Sequence, residues 1–242
     1  MNDRYAAYCS VAIDGPSGAG KSTQAKRLAK HFGWIYVDTG AIYRAVGLAA
    51  YRKCIDPCDE DNIRRHILPD SRVELIYSAD GVQRTFLNGE DVSDAIRVDI
   101  ISRYASDVSA LPSVRAFLLE LQRDMAKNHS VVMDGRDIGT VVLPDADVKV
   151  FLTAAPEIRA ARRRLELERR GESKTLQEVL DAINARDAND SARAAAPLKR
   201  AADAVLLDCS AMSEDAVFTA IKGLVENCFS NRCKGGVLIE NP

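Results

Sequence analysis

Apolar and polar positions along this 242-residue chain fall into blocks whose period keeps switching. Val11-Ala12-Ile13 is a continuous apolar run, the length of a buried strand at roughly 10–14. Ala25, Leu28, Ala29 and Phe32 then recur three and four apart, which predicts a helix from Ser22 to about Phe32, with Gly33 placed as its stop. Ile35-Tyr36-Val37 reads as a second short strand, followed by a helix through about Lys53. Val131-Val132-Met133, Val148–Leu152 and Ala204–Leu207 look like further core strands, separated by helical segments. Such alternation predicts an α/β fold, a parallel sheet with helices on both faces.

Two regions break this rhythm. Over about 67–105, Val73–Ser78 and Gln83–Asn88 are short strand-like runs flanking Ala79-Asp80-Gly81-Val82, a hairpin signal inside an insertion. Residues 157–193 are rich in arginine, and Thr175 with Glu178 forms a capping-box pattern that starts a helix there.

Composition narrows the class without naming it. Hydrophobic residues at 47% and charged residues at 28% are ordinary for a soluble globular chain, and a net charge of −2 offers no global attraction to nucleic acid. No apolar stretch approaches the ~20 residues needed to cross a bilayer, and the N-terminus has no signal-peptide character. We therefore expect a cytoplasmic protein whose six cysteines are reduced thiols rather than disulfides or zinc ligands.

The chemistry starts at Gly15-Pro16-Ser17-Gly18-Ala19-Gly20-Lys21-Ser22-Thr23, which fits G-x-x-x-x-G-K-[ST] between a strand and a helix. Its glycines let backbone N–H groups close on phosphate oxygens, and the helix end adds positive potential. Lys21 supplies a charge for the β- and γ-phosphates and Ser22 a hydroxyl for Mg²⁺. Nucleotide binding follows, but a switch or a motor would carry the same loop.

Three further stretches point to a second substrate. "VDTGAIYRAV" and "VVMDGRDIGTVV" sit at strand ends, where ligands of parallel α/β sheets bind. "INARDANDSARAAAPL" places Arg186, Asp190 and Arg193 on one helical face. With the phosphate loop and "LNGEDVSDAIR", these motifs in this order resemble the bacterial cytidylate kinases, members of the nucleoside monophosphate kinase family, from about Val11 to Leu224.

The resemblance implies a P-loop kinase domain over 1–228, with a monophosphate-binding insertion, a lid at about 155–172 and a flexible tail at 229–242. It implies transfer of the γ-phosphoryl group of ATP to CMP and dCMP, with Mg²⁺, by a monomer. Thr39, Arg44 and Arg136 then face the acceptor phosphate, Asp137, Ser106 and Arg115 read cytosine, Arg186 and Asp190 hold the sugar, and Arg193 reaches phosphate. Lid arginines Arg162 or Arg163 serve the transferring group. Two positions depart from relatives: Asn189 stands where some carry a basic residue, and Thr39 where serine is common.

The mechanism expected of such residues is electrostatic. None of the three histidines, His31, His66 and His129, falls in a motif. A phosphate acceptor needs no general base, because its second pKa is about 6. Lys21, Mg²⁺ and arginines instead offset the repulsion between two anions. Asp134 follows an apolar strand as a Walker-B acid does, so it either holds the metal through water or pairs Arg136. Arg162/Glu166 and Glu166/Arg170 spacing also fits a salt-bridged surface helix. Rivals are a kinase acting on UMP, AMP or shikimate, and a nucleotide-gated binding module without turnover.

Overall fold

The computed structural model describes residues 8–78, 81–169 and 171–235, with side chains as far as Ser230. Five parallel strands form the main sheet: β1 (Ser10–Asp14), β2 (Ile35–Asp38), β6 (Val131–Gly135), β7 (Val148–Thr153) and β8 (Val205–Asp208), in the order β2-β6-β1-β7-β8. Between β2 and β6 the chain makes a separate antiparallel sheet of β3 (Val73–Tyr77), β4 (Gln83–Leu87) and β5 (Glu90–Asp91). Of the turn expected between β3 and β4, Ala79 and Asp80 lie outside the described residues.

Local chemistry starts and stops the helices. The first, α1 (Lys21–Phe32), leaves Gly20 and ends at Gly33, whose φ of 69° suits glycine while Trp34 N–H donates back to the Ala29 carbonyl at 2.8 Å. The next, α2 (Thr39–Arg52), is capped by the Asp38 carboxylate, which accepts Ala41 N–H at 3.0 Å. A short α3 (Glu60–Asn62) passes into a π-helical turn, Ile63–Ile67, whose Ile63 and Ile67 are fully buried. Gly47 lets α2 approach α4 (Asp99–Val108) closely, for a Cβ there would lie 3.0 Å from Ala105 N. The helices α5 (Pro112–Asn128), α6 (Pro156–Arg169), α7 (Leu176–Ala192) and α8 (Glu214–Gly235) complete the chain. Thr175 and Glu178 close a reciprocal capping box on α7.

Apolar faces pack in separate groups. Ile42, Val46, Ile96, Ile101 and Leu118 join α2 to the insertion and α5, while Ile13, Leu28, Val150 and Ile221 lie between the sheet, α1 and α8. Ala160, Leu167, Val179 and Ile183 form a small core of their own between α6 and α7.

Two expectations change. The run Ala204–Leu207, read as a core strand, is the sheet's edge: among the described residues β8 pairs with β7 alone, leaving Val205 and Leu206 exposed. The expected start of a tail at 229 falls inside α8, which Ser213 begins by accepting Ala216 N–H at 3.2 Å. Residues 236–242 lie outside the described residues.

Candidate active site

A cavity of about 1180 Å³ opens beyond the carboxyl ends of the parallel strands. Residues 17–23 of the phosphate loop form one wall, Arg44 and Arg186 another, and α4, α6 and α7 cover it. Gly15 is required by its surroundings: its φ is 148°, and a Cβ would sit 2.0 Å from the Leu152 carbonyl oxygen. Lys21 is buried and donates to the Pro16 carbonyl at 2.7 Å across the loop. Burial, with repulsion from Arg136, lowers its pKa to about 7.

Asp134, at the end of β6, lies one step behind the loop. Its carboxylate accepts the Ser22 hydroxyl at 2.8 Å and the Tyr36 hydroxyl at 2.8 Å. Burial, then the charge of Asp38, raises its pKa above the usual carboxylate range. The alternative pairing of Asp134 with Arg136 is not made, since Arg136 Nε turns instead to Asp190 at 2.7 Å. Ser22 and Asp134 thus bring two hard oxygen donors together beside the phosphate loop, a set that fits Mg²⁺.

On the acceptor side, burial works against the charge of Asp38, yet Arg44 and Arg97 outweigh it and hold its pKa down. Those ion pairs measure 3.6 Å and 3.2 Å. Arg44 Nη1 is buried without a hydrogen-bond acceptor, as is Arg186 Nε. Both side chains line the cavity, so its wall opposite the phosphate loop carries positive charge, with Arg44 Nη1 already 3.6 Å from Asp38. Thr39 differs from expectation, because its hydroxyl donates to the Asp134 carbonyl at 2.7 Å and does not line the cavity.

Behind that wall is a compact charged network. Asp190 is buried and takes Arg136 on one oxygen and Arg193 on the other. Burial opposes its charge, but Arg136 and Arg193 hold its pKa below the usual range. Burial, then Arg136, lowers Arg186 to about 10. Arg115 pairs directly with Asp137, donates to the Ser109 carbonyl at 3.1 Å and lies over the Tyr43 ring. Burial outweighs that pairing and raises the Asp137 pKa. Ser106 lines the cavity, and its carbonyl accepts Arg193 at 3.4 Å.

The arginines of α6 part ways. Arg162 lines the cavity and donates to the Cys209 carbonyl at 3.0 Å. Arg163 reaches across to Asp99 on α4 at 3.3 Å and pairs with Glu166 at 3.2 Å, so Glu166 meets Arg163 rather than Arg162. Arg170 lies outside the described residues. The arginine bonded to the phosphate loop is Arg159, which sequence reasoning gave no role: it donates to the Ser17 carbonyl at 2.9 Å and pairs with Asp187 at 2.5 Å. Asp187 in turn accepts Ser17 N–H at 3.2 Å. Arg97 and Asp14 were missed as well. The Asp187 signal was its place inside "ARDAND", one residue from Arg186.

A phosphate loop and an arginine-lined wall thus face each other across one cavity. The cytidylate kinase family model matches residues 11–227, nearly the whole chain. The chain belongs to the cytidylate kinase family. It is 50% identical over 214 residues to a cytidylate kinase of Pelotomaculum thermopropionicum, covering 88% of this chain and 94% of that protein. It is 46% identical over 223 residues to a cytidylate kinase of Caldicellulosiruptor bescii, covering 92% and 97%. A crystal structure of a protein from Eubacterium ventriosum shares the fold, with a TM-score of 0.51 at 13% identity over 90% of this chain and 98% of that one. This cytidylate kinase family member is a kinase built on a P-loop α/β sheet. Among the described residues, no helix is long and apolar enough to cross a membrane.

Proposed function

We infer that this protein transfers the γ-phosphoryl group of ATP to CMP, giving CDP and ADP, with dCMP as a second acceptor. The observation that carries the reading is the opposition, in one cavity, of a phosphate loop and two arginines, Arg44 and Arg186. In a family member, such a wall suits the acceptor nucleotide, with Arg44 toward its phosphate and Arg186 toward its sugar.

Each residue then acts through its charge. Gly15 to Thr23 cradle the ATP phosphates, and Lys21 balances charge on the transferring group. Ser22 would hold Mg²⁺, with Asp134 supporting it through water, and the bound ion would neutralise phosphate charge. Arg44, Arg136 and Arg193 draw in the acceptor phosphate, Thr39 supports them from the helix start, and Arg186 with Asp190 holds the sugar. The acceptor's own oxygen is the nucleophile, so no side chain has to remove a proton.

Base choice falls to Asp137, Arg115 and Ser106. Cytosine presents an amine donor beside acceptors at N3 and O2, and an aspartate next to an arginine complements both. Uracil sets a carbonyl oxygen against Asp137 and leaves buried polar groups unpaired, at about 1–3 kcal/mol each. Arg162 and Arg163, on the α6 helix that covers the cavity, close over the reacting phosphates and exclude water, the competing acceptor. The enzyme works as a cytoplasmic monomer without nucleic-acid or membrane partners.

The test is ADP release from Mg-ATP with CMP, dCMP, UMP, AMP or no acceptor, for the wild type and Asp137→Ala. Strong turnover on CMP and dCMP, weak UMP turnover, and discrimination lost in the variant are expected. Acceptor-independent or absent turnover despite bound ATP would overturn the reading.

A further inference from the structure

Asp14 closes β1 immediately before the phosphate loop, and its carboxylate does not face the cavity. It is buried, and it crosses to the neighbouring loop, where one oxygen accepts Ile138 N–H at 2.8 Å and the other Gly139 N–H at 2.7 Å. Those two amides open the π-helical turn Ile138–Val142 that follows β6. The strand register places Asp14 opposite Gly135. Arg136 and Asp137 therefore stand on a three-peptide arch pinned at both ends, by strand pairing at Gly135 and by Asp14 at Ile138 and Gly139. Gly15, next to Asp14, is locked against the Leu152 carbonyl, so the carboxylate stem starts from a fixed point.

We propose that Asp14 is a positioning residue that sets the acceptor-binding arch, with Arg136 and Asp137, in register with the phosphate loop that holds the donor. The proposal rests on the CMP kinase reading above. Its chemistry is specific to a short carboxylate. Two adjacent N–H donors need two acceptor oxygens, and aspartate supplies them at that reach. Asparagine offers one oxygen and turns an NH₂ against the second N–H; alanine offers nothing and leaves two buried donors unpaired. Gly139 adjoins the same device: a Cβ there would meet Asp14 Oδ2 at an ordinary 3.4 Å and press more closely, at 3.2 Å, on Lys149 Cδ.

A buried carboxylate serving the scaffold alone would weaken both substrate sites and the fold together. A positioning residue separates them. For Asp14→Asn we expect KM for CMP to rise about tenfold and discrimination against UMP to narrow, while a fluorescent ATP analogue binds within about twofold of wild type, by the tenfold-per-1.4 kcal/mol scale of one lost buried bond. Gly139→Ala presses on the arch from the other side, through Lys149, and is predicted to show a smaller CMP-selective loss. The double variant should lose less than the product of the two single effects. If Asp14→Asn fails to fold, Gly139→Ala decides alone. Equal losses of ATP and CMP affinity, or no change in either, overturn the proposal. A wild type that binds the analogue yet shows no CMP-dependent turnover would instead overturn the function from which it starts.

Discussion

Asp14 also shows what a well-bonded carboxylate costs. Burial, relieved in part by the Gly139 and Ile138 N–H groups, lifts its pKa from 3.8 to about 6, with Asp137 adding repulsion and Lys21 attraction. A folded-state value above the unfolded one means that the native protein holds the extra proton between about pH 4 and 6. The contribution of this group to stability is therefore fully present below about pH 4 and is lost as pH rises through 6. A shift of about two units corresponds to roughly 3 kcal/mol at 1.36 kcal/mol per unit. Urea unfolding of wild type and Asp14→Asn from pH 4.5 to 7 reads this, because groups other than its charged neighbours Asp137 and Lys21 titrate alike in both. The stability difference, wild type minus variant, should fall as pH rises to about 6 and then stay level. A difference that grows with pH would show that the ionised carboxylate is favoured in the fold.

The insertion acquires a purpose from how its elements end. The β3–β4 hairpin docks on the free edge of β2: Tyr77 OH donates to the Tyr36 carbonyl at 3.1 Å, and the Gln83 amide accepts Asp38 N–H at 2.8 Å while its own NH₂ donates to the Asp38 carbonyl at 3.4 Å. One side chain thereby replaces the missing neighbouring strand. Asp38 is both the cap of α2 and the partner of Arg44 and Arg97, so the hairpin steadies the acceptor side from outside. Removing one such neutral hydrogen-bonding side chain costs about 1 kcal/mol, so Gln83→Ala should raise KM for CMP about fivefold and leave KM for ATP unchanged. Equal movement of both constants, or of neither, would refute this. Gln83 was not legible in the sequence, since its partner is a backbone shared by any residue at 38. The phosphate loop and the helix at Ser22 were legible, because glycine spacing and a period of three to four are local. The exposure of Val205 and Leu206 was not: an apolar run has the same pattern at a sheet's centre and at its edge, and only strand order separates them. Arg159 escaped for a related reason, for the Ser17 carbonyl it binds lies 142 residues away.

Across the whole molecule, the attachments of α6 and α7 near the phosphate loop and near α4 differ in character. At their base, the buried Arg159 with Asp187 grips both backbone groups of Ser17, a charge-assisted arrangement with little water near it. At the far side, Arg163 and Lys174 meet Asp99 of α4 at 3.3 Å and 2.5 Å, with all three side chains substantially exposed. Exposed pairs of this kind are worth about 0–1 kcal/mol each, whereas the α6–α7 pair keeps its own small core of Ala160, Leu167, Val179 and Ile183. The contacts with α4 are thus the weaker attachment of a helix pair that carries its own core, and the Ser17 grip the stronger. Asp99→Asn isolates the weak end. It should leave global stability within about 1 kcal/mol of wild type, yet speed amide hydrogen exchange in the second half of α6 and the start of α7. Exchange near Arg159 should stay as it was, because local opening follows the weakest attachment. Uniform protection along α6 in the variant would mean that the two ends are held alike, and that the cleft does not open where its charges are thinnest.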